Sequence, residues 1–440
     1  MDTIEPKLLK GFRDYLPEQM IPRQRMIDTI ARVFERFGFA PIHTPALEYA
    51  EVLLGKLGED AENLFYRFTD HGGRDICLRY DLTVPLARVA AQYRNLRMPF
   101  KRYQIAPVWR AEKPGKGRFR EFYQCDVDIV GTDSLLADAE CIAVDHAVLT
   151  ALGIPDAVIR INNRKVLAGL LDALELGGDG AANAQDILRT IDKLPSHGEK
   201  TVRALLAEKN GLAPDRIDRV FEFIRIEGEP EAMIEQAGPL IGGSQAGADG
   251  LDELRQVIEF ARHMGVPALE LDFTIARGLD YYTGTVFETF LPQLPDLGSV
   301  MSGGRYDHLI SGFLGRDVPA VGISVGIDRL FSGMESLGLV EQAKTPTRVL
   351  VAPMGPETVD AALRAAHRLR SADIPTEVYL KEARLGKQLK HADQQGIGLV
   401  VILGTEEVAA ETATVKEMES GDQTEVPLAQ LADHVRARLG

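Results

Sequence analysis

Two strand-like segments joined by a short basic loop constrain the fold of this chain more than any other feature. The stretch from Tyr103 to Trp109 predicts one strand, and the stretch from Phe119 to Ile129 predicts a second. The loop between them, Glu112 to Arg118, is flexible and contains two glycines. A connection this short joins antiparallel strands, because a parallel pair needs a long crossover. The sequence therefore predicts an antiparallel hairpin with a basic tip.

The second of these strands carries a polar face. Gln124, Asp126 and Asp128 are two residues apart, so their side chains share one side of the strand. Such a face is costly to bury unless each group finds a hydrogen-bond partner. A bound polar ligand would supply those partners.

Positive charge is concentrated around the same hairpin. The chain has a formal net charge of -15, yet between Gln92 and Arg120 its single acid is Glu112. The basic residues of this stretch are Arg94, Arg97, Lys101, Arg102, Arg110, Lys113, Lys116, Arg118 and Arg120. A local excess of this kind indicates contact with a polyanion. The alternative from the residues alone is a solvated basic hairpin.

A second hairpin is predicted further along the chain. Apolar and polar residues alternate from Leu269 to Ile275, and another strand is expected through Val286 to Phe290 after a turn at Thr283-Gly284. Such a hairpin would carry Arg277, Tyr281 and Tyr282 at its mouth. An arginine fork suits a carboxylate or phosphate, and tyrosine hydroxyls can hydrogen-bond a small polar ligand. An ordinary hairpin with an exposed ion pair is the alternative.

Asp81 and Thr83 form a smaller pair. A carboxylate and a hydroxyl two residues apart on an extended segment point to the same side and could hold an ammonium group. The alternative is a helix start, with either residue as the N-cap and Pro85 in the first turn. The two interpretations are compatible.

Two glycine-bearing segments follow. Gly303 to Asp307 predicts a tight turn into a helix, where glycines let the backbone approach a ligand closely. Ala320 to Leu330 predicts a strand that runs into a helix, with Arg329 at the helix start.

Length and composition predict a soluble protein of two or three domains, since the chain has 440 residues. The three cysteines lack the spacing of a metal site and favour a reducing cytosol over a disulfide framework. No apolar run approaches the length of a membrane span, and the first residues lack a signal pattern. We therefore expect a cytoplasmic protein without membrane contact.

The remaining regions differ in character. Helical periodicity dominates from Asn163 to Met264, without any set of chemistry-bearing residues. Beyond a linker at Lys344 to Thr347, strands and helices alternate, which predicts a small α/β domain with a largely parallel sheet. Arg384, Lys387 and His391 are expected close together on one helix of that domain, where a solvated charged face is the alternative reading.

Two of these segments resemble the histidine-specific motifs of histidyl-tRNA synthetases: Arg277 to Glu288, and Ser302 to Asp307. The resemblance extends over essentially the whole chain. The helix and proline-interrupted strand up to Leu47 resemble class II motif 1, the basic hairpin resembles motif 2, and Ala320 to Leu330 resembles motif 3.

The resemblance implies a fold and a domain plan. The expected fold is of the α/β (α+β) class, with a class II antiparallel-sheet catalytic core at residues 1–335 and a helical insertion at 165–262. An α/β anticodon-binding domain would occupy residues 346–440. In the family, motif 1 builds a homodimer interface and the insertion approaches the acceptor arm of tRNA.

The resemblance also implies an activity: a histidine–tRNA ligase that uses ATP and Mg²⁺ to form histidyl-adenylate and then charges tRNA(His). Arg277 and Arg110 would be catalytic. Histidine would be bound by Asp81, Thr83, Gln124, Asp128, Arg277, Tyr281, Tyr282 and Tyr306. ATP would be bound by Arg110, Glu112, Arg118 and Arg329, the tRNA acceptor stem by Lys116 and Arg118, and the anticodon by Arg384 and Lys387. No protein residue is assigned to a metal.

The chain departs from many bacterial members at two places. Asp81 and Asp128 stand where those members have glutamate, which resembles the eukaryotic branch. Two other functions remain open from the sequence. One is a synthetase-like regulatory subunit of ATP phosphoribosyltransferase, although such paralogues typically lack the anticodon domain and lose catalytic arginines. The other is a pure RNA-binding module, which would leave the polar pocket residues unexplained.

Overall fold

The computed structural model describes residues 4–54, 64–115, 118–176, 181–276 and 281–439. The chain divides into two compact units. The larger contains Met26–Val340 and the segment that ends at Arg13, and the smaller contains Glu341–Gly440 and Asp14–Arg25. Within these described ranges, no helix is both long and apolar enough to cross a membrane.

The helices are α1 (Pro17–Arg36), α2 (Ala50–Leu53), α3 (Thr83–Gln92), α4 (Leu135–Ala151), α5 (Arg164–Ala173), α6 (Ala181–Ile191), α7 (Leu194–Glu208), α8 (Pro214–Ile224), α9 (Pro230–Leu240), α10 (Gln245–His263), α11 (Ser311–Leu314), α12 (Ile327–Ser336), α13 (Val359–Ser371), α14 (Leu385–Gln395), α15 (Thr405–Ala409) and α16 (Leu431–Leu439). The strands are β1 (Ala40–Pro41), β2 (Leu47–Tyr49), β3 (Arg67–Thr69), β4 (Asp75–Leu78), β5 (Phe100–Trp109), β6 (Glu121–Val130), β7 (Val158–Asn163), β8 (Glu270–Leu271), β9 (Thr285–Phe290), β10 (Met301–Arg305), β11 (Ala320–Gly326), β12 (Val349–Pro353), β13 (Thr376–Val378), β14 (Leu399–Leu403), β15 (Thr412–Glu417) and β16 (Gln423–Pro427).

A large sheet organises the larger unit. Its described strands follow the order β1-β5-β6-β11-β10-β9-β7-β8. Neighbours from β5 through to β7 are antiparallel, and the edge strands β1 and β8 each pair in parallel. The basic hairpin is confirmed as β5 and β6, in register from Phe100 opposite Val130 to Trp109 opposite Glu121. The proline-containing β1 lies at the sheet edge, where a missing ladder donor costs least.

Alternation along β6 separates the core from the pocket. Cys125, Val127 and Ile129 are buried in the main hydrophobic core. Helix α4 packs against β10 and β11, and α10 packs against α4. Side chains of even number on β6 point to the other face of the sheet.

The middle of the chain is helical, as predicted, and consists of α5 to α10 in the described residues. Helices α5 and α10 approach each other closely at Gly169 and Gly247. A Cβ atom at Gly169 would lie 2.5 Å from the Cα of Gly247, so a larger residue there would force the helices apart.

The hairpin predicted from Leu269 to Phe290 is wrong. Strand β8 ends at Leu271 and pairs with β7, which separates it from β9. The chain leaves the sheet at Asp272, whose Oδ1 accepts hydrogen bonds from the backbone N–H of Thr274 at 2.9 Å and from its hydroxyl at 2.6 Å. This local turn competes with the strand ladder. Phe273 and Ile275 are nevertheless buried, which explains the apolar alternation.

The turn predicted at Gly303 to Asp307 is also wrong, because residues up to Arg305 belong to β10 in the middle of the sheet. Glycine is required there for packing: a Cβ at Gly303 would lie 2.3 Å from the carbonyl oxygen of Gly322. The expected helix is limited to α11. By contrast, the strand-to-helix prediction for Ala320 to Leu330 is confirmed by β11 and α12.

The smaller unit is a sheet in the order β13-β12-β14-β15-β16. Strands β13, β12 and β14 are parallel, as predicted, whereas β15 and β16 add an antiparallel hairpin that was not predicted. Apolar residues of α13 and α16 pack in a core on one face, and Ala392 of α14 packs with Leu350 and Val400 in a core on the other. The predicted α/β (α+β) fold class, with a largely antiparallel sheet in the larger unit and a C-terminal α/β domain, is confirmed.

Candidate active site

A pocket of about 420 Å³ opens on the polar face of β6. Strands β6, β9, β10 and β11 form its floor. It brings together most of the predicted site residues: Asp81, Thr83, Arg110, Glu112, Arg118, Gln124, Asp128, Tyr281, Tyr282, Tyr306 and Arg329. Segments far apart in sequence therefore converge on one cavity.

The two carboxyl oxygens of Asp81 have different environments. Its Oδ1 accepts a hydrogen bond of 3.0 Å from the backbone N–H of Val84 in the first turn of α3, although the N-cap position is Leu82 rather than the predicted Asp81 or Thr83. Its Oδ2 is buried and has no hydrogen-bond partner among the described residues. Burial raises the pKa of this carboxyl, and a cation at Oδ2 would favour its ionised form.

Asp128 is held from two sides at the floor of the pocket. Arg102 reaches its Oδ2 with Nη2 at 2.5 Å, and the Tyr306 hydroxyl donates to its Oδ1. Burial raises the pKa of Asp128, while the Arg102 guanidinium opposes that shift. An oriented carboxylate of this kind can accept an N–H from a ligand ring.

Arg102 is a residue that sequence reasoning missed. It was predicted only as one member of a basic stretch, yet its side chain is 0% exposed and lies opposite Asp128 in the β5–β6 register. The available signal was its position on the hairpin, since antiparallel partners share a face. Asp126, which also lines the pocket, adds to the acidic groups around Arg102.

Three tyrosines form an aromatic wall. The ring centroid of Tyr281 lies 5.1 Å from that of Tyr282 and 5.6 Å from that of Tyr306. Burial raises the pKa of all three hydroxyls, so they remain neutral hydrogen-bonding groups. Thr83 contacts Tyr281, which links the aromatic wall to the start of α3.

The opposite end of the pocket is basic. Arg110 lies with its guanidinium carbon 4.2 Å from the ring centroid of Tyr80 and 5.0 Å from that of Phe122, and its Nε donates to the Tyr80 carbonyl oxygen at 3.3 Å. Stacking on aromatic faces holds a guanidinium in place without neutralising it. Arg329 donates from Nη1 to the Ser299 carbonyl oxygen at 2.7 Å. Arg118 forms an ion pair with Glu112.

Other predicted residues are placed differently. Arg277 and Lys116 lie outside the described residues. Lys101 pairs with Glu140 at 2.6 Å, so with the buried Arg102 it does not belong to a basic surface. Arg94, Arg97 and Lys113 remain exposed.

In the smaller unit, Arg384 and Lys387 are exposed at the start of α14. His391 instead contacts Glu377 of β13 at 3.2 Å. The exposed basic side chains are therefore available to a polyanion, whereas His391 is engaged within the unit.

This arrangement suits two ligands side by side. Buried acceptor oxygens and tyrosines at one end match a small molecule with an ammonium group and a polar ring. Stacked and anchored arginines at the other end match phosphates. A carboxylate held between the two ends would face the phosphates.

Comparisons with known proteins agree with this geometry. The family model described as Histidyl-tRNA synthetase matches residues 11–330, and the model described as Anticodon binding domain matches residues 348–438. The histidine–tRNA ligase of Rhodopirellula baltica is 44% identical over 426 residues, which are 96% of each chain. That of Clostridium tetani is 41% identical over 97% of each chain.

Solved structures give the same result. The crystal structure of histidyl-tRNA synthetase from a Nostoc species superposes with a TM-score of 0.89 at 37% identity, covering 99% of this chain and 100% of that one. A Bacillus halodurans protein described as an ATP phosphoribosyltransferase regulatory subunit/histidyl-tRNA synthetase is more distant, with a TM-score of 0.75 and 25% identity over 91% of this chain and 100% of its own. With its sequence matched along nearly its full length and its fold reproduced, the chain belongs to the histidyl-tRNA synthetase family.

Proposed function

We infer that the chain is a histidine–tRNA ligase, which joins histidine to ATP as histidyl-adenylate and then transfers the histidyl group to tRNA(His). The observation that carries this inference is the pocket itself. Acceptor oxygens at one end and anchored arginines at the other fit an amino acid and a nucleoside triphosphate. The full-length relatives named histidine–tRNA ligase support the same activity.

Histidine would bind at the acidic and aromatic end. Asp81, Thr83 and Gln124 would hold its α-ammonium group. Asp128 would accept a hydrogen bond from one imidazole nitrogen, and the Tyr282 hydroxyl would contact the other. Tyr281 and Tyr306 would close the pocket around the ring. Such a site rejects apolar side chains of similar size, because its buried polar groups would lose their partners.

ATP would bind at the basic end. Arg110 and Arg277 would flank the α-phosphate, Arg329 would hold the γ-phosphate, and Glu112 and Arg118 would contact the remainder of the nucleotide. Attack by the histidine carboxylate on the α-phosphate brings negative groups together, so charge neutralisation matters more than proton transfer. The stacking of Arg110 on Tyr80 and Phe122 supports this role, because it fixes the charge before the reaction.

Mg²⁺ would arrive with the ATP phosphates, whose negative charge it would partly neutralise. The described residues include no group of three or more side chains that could hold a metal alone. Nucleotide-bound Mg²⁺ needs only one or two carboxylates in addition to phosphates and water. Glu288 and Asp328 line the pocket and fit that requirement.

Two sets of basic residues would contact the tRNA, one at its acceptor stem and one at its anticodon. Lys116 and Arg118 on the β5–β6 loop would reach the acceptor stem. Arg384 and Lys387 would contact the anticodon, within the region matched by the anticodon-binding family model.

We also propose a cytoplasmic homodimer. The three cysteines are buried and free, as expected in a reducing compartment. Leu47, Tyr49 and Tyr93 are exposed side by side on a second cleft, which favours a subunit contact. Sedimentation equilibrium should give a mass about twice the 48.3 kDa of one chain, and a single-chain mass at micromolar concentration would contradict the dimer.

The direct test of the activity is exchange of labelled pyrophosphate into ATP, with each of the twenty amino acids and Mg²⁺. We expect exchange with histidine alone. Exchange with another amino acid would contradict the assignment. Absence of exchange despite histidine binding would favour the regulatory-subunit alternative, against which the retained anticodon domain argues.

Arg277→His tests the proposed catalytic arginine. We expect histidine-dependent exchange to fall by on the order of a hundredfold or more, since the loss of one preorganised charge typically has that effect. Arg316→His, at an exposed position, serves as the matched control. A near-normal rate in Arg277→His would remove Arg277 from the catalytic set.

A further inference from the structure

A three-membered hydrogen-bond chain lies along one wall of the pocket. The side-chain amide of Gln124 donates from Nε2 to the Ser324 hydroxyl oxygen at 2.8 Å. Ser324 is also hydrogen-bonded to the Asp126 carboxyl, which is its register partner across the β6–β11 pair. Ser324 therefore links two residues that face the pocket from β6.

The donors and acceptors in this chain fix its direction. An amide nitrogen can only donate, so the Ser324 oxygen accepts from Gln124. The single proton of the hydroxyl is then available to the Asp126 carboxyl. Ser324 thus acts as a relay that accepts from Gln124 and donates to Asp126. If the Gln124 amide rotated by half a turn, its oxygen could bond Ser324 only by taking the hydroxyl proton away from the Asp126 carboxylate.

The fixed orientation leaves an acceptor facing the pocket. Gln124 Oε1 is buried and has no hydrogen-bond partner among the described residues. Asp81 Oδ2 has the same status, and both residues line the pocket. Two buried acceptors without partners call for a donor with at least two N–H groups.

Asp126 is suited to anchor the relay. It is buried, and the charged groups that interact with it include Arg102, Asp128, Asp81 and Arg79. Burial and the neighbouring Asp128 raise its pKa to about 7, while Arg102 and the Ser324 hydroxyl oppose the shift. Its oxygen accepts from Ser324 in either protonation state.

We propose that Ser324 and Asp126 are positioning residues for the amino end of histidine: they hold Gln124 so that its carbonyl oxygen, together with Asp81, accepts from the α-ammonium group. This inference rests on the proposed function and refines it, because it gives Ser324 and Asp126, which are not among the proposed histidine ligands, a role in orienting Gln124. A reversed amide would present N–H groups to the ammonium and lose that hydrogen bond.

Ser324→Ala tests the relay, because it removes the hydroxyl with little change of shape. In pyrophosphate exchange, we expect the KM for histidine to rise roughly ten- to hundredfold, the usual range for a hydrogen bond to a charged group. The KM for ATP should change little. Ser336→Ala, which removes an exposed hydroxyl of α12, is the matched control.

The decisive readout is discrimination between histidine and imidazolepropionate, the analogue without the ammonium group, by calorimetric titration. The relay predicts that Ser324→Ala weakens histidine binding roughly ten- to hundredfold while binding of the analogue is nearly unchanged. Equal weakening of both ligands would indicate general disruption of the pocket and would overturn the proposal. Unchanged histidine binding would overturn it as well.

Asp126→Asn separates the relay from the charge. Asparagine keeps an oxygen that can accept from Ser324, so the loss of discrimination should be smaller than in Ser324→Ala. A loss as large as that of Ser324→Ala would assign the effect to the Asp126 charge and contradict the relay. If the wild-type protein shows no histidine-dependent exchange, the proposed function fails instead, which distinguishes the two failures.

Discussion

At the scale of single residues, the pocket depends on the absence of a side chain at position 322. Gly322 lies opposite Asp128 in the β6–β11 register. A Cβ atom there would lie 2.1 Å from Asp128 Oδ1 and 2.7 Å from the carbonyl oxygen of Val127. One contact is with a buried carboxylate that already has two partners, and the other is with the backbone of a central strand. Neither group can move aside without a large cost in free energy.

Gly322→Ala should therefore displace Asp128 from Arg102 and Tyr306. We expect the KM for histidine in pyrophosphate exchange to rise by on the order of a hundredfold, because a buried charged hydrogen-bond site would be lost. Gly238→Ala, where a Cβ meets no atom within 4 Å, is the control. Retention of near-normal histidine KM in Gly322→Ala would show that Asp128 does not need its present position.

The residues of the site were predictable to different degrees. The polar face of Gln124, Asp126 and Asp128 follows from the two-residue period of a strand, and the pocket confirms that these side chains share a face. Arg102 could not be separated from its basic neighbours, because burial of a charge depends on a partner from another strand. The Ser324 relay likewise requires the pairing of β11 with β6, which residue spacing alone does not specify.

At the scale of secondary-structure elements, helix α4 covers the sheet with a polar group in its buried face. Asp145 is 0% exposed, and the Thr289 hydroxyl of β9 donates to its Oδ2 at 2.6 Å. Its other oxygen has no partner among the described residues. Burial raises the pKa of Asp145 to about 7, with only the Thr289 hydrogen bond opposing it. The carboxyl therefore fits the core best in its neutral form.

Asp145→Asn should stabilise the protein more at pH 8 than at pH 5. The folded-state pKa lies above the unfolded value of about 4, so wild-type stability falls as pH rises from about 4 to about 7. Asparagine removes that dependence. The gain in unfolding free energy should be larger by about 2–3 kcal/mol at pH 8 than at pH 5. Thermal melts of both proteins at the two pH values provide the measurement, and equal shifts would contradict a neutral Asp145.

Elements with clear periodicity were predictable, and those set by local turns were not. The β5–β6 hairpin and the β11–α12 junction agree with their patterns because propensity and burial favour the same structure there. The run from Leu269 to Ile275 has the burial pattern of a strand, but the Asp272 side chain provides a competing turn. At Gly303 the glycine signal was real, but it reflects close packing inside a sheet rather than a turn.

At the scale of the whole molecule, the charge distribution limits how tRNA can bind. The net charge is -15, so a phosphate backbone needs a local excess of exposed basic residues to bind. Several basic residues near the pocket form ion pairs within the protein, including Lys101 with Glu140 and Arg102 with Asp128. The exposed Arg384 and Lys387 of the smaller unit are therefore stronger candidates for contacts with tRNA.

The double variant Arg384→Glu/Lys387→Glu should separate the two half-reactions. In the proposed function, adenylate formation uses the pocket of the larger unit, so pyrophosphate exchange with histidine should stay within about twofold of wild type. Charging of tRNA should lose more than about tenfold in kcat/KM, because two phosphate contacts become repulsive, and the loss should shrink as salt is raised. Arg364→Glu/Arg368→Glu on α13 makes the same charge change at exposed positions and is the matched control. An equal loss of charging kcat/KM in that control would mean that net charge alone governs tRNA affinity. A loss confined to Arg384→Glu/Lys387→Glu would assign tRNA binding to the start of α14.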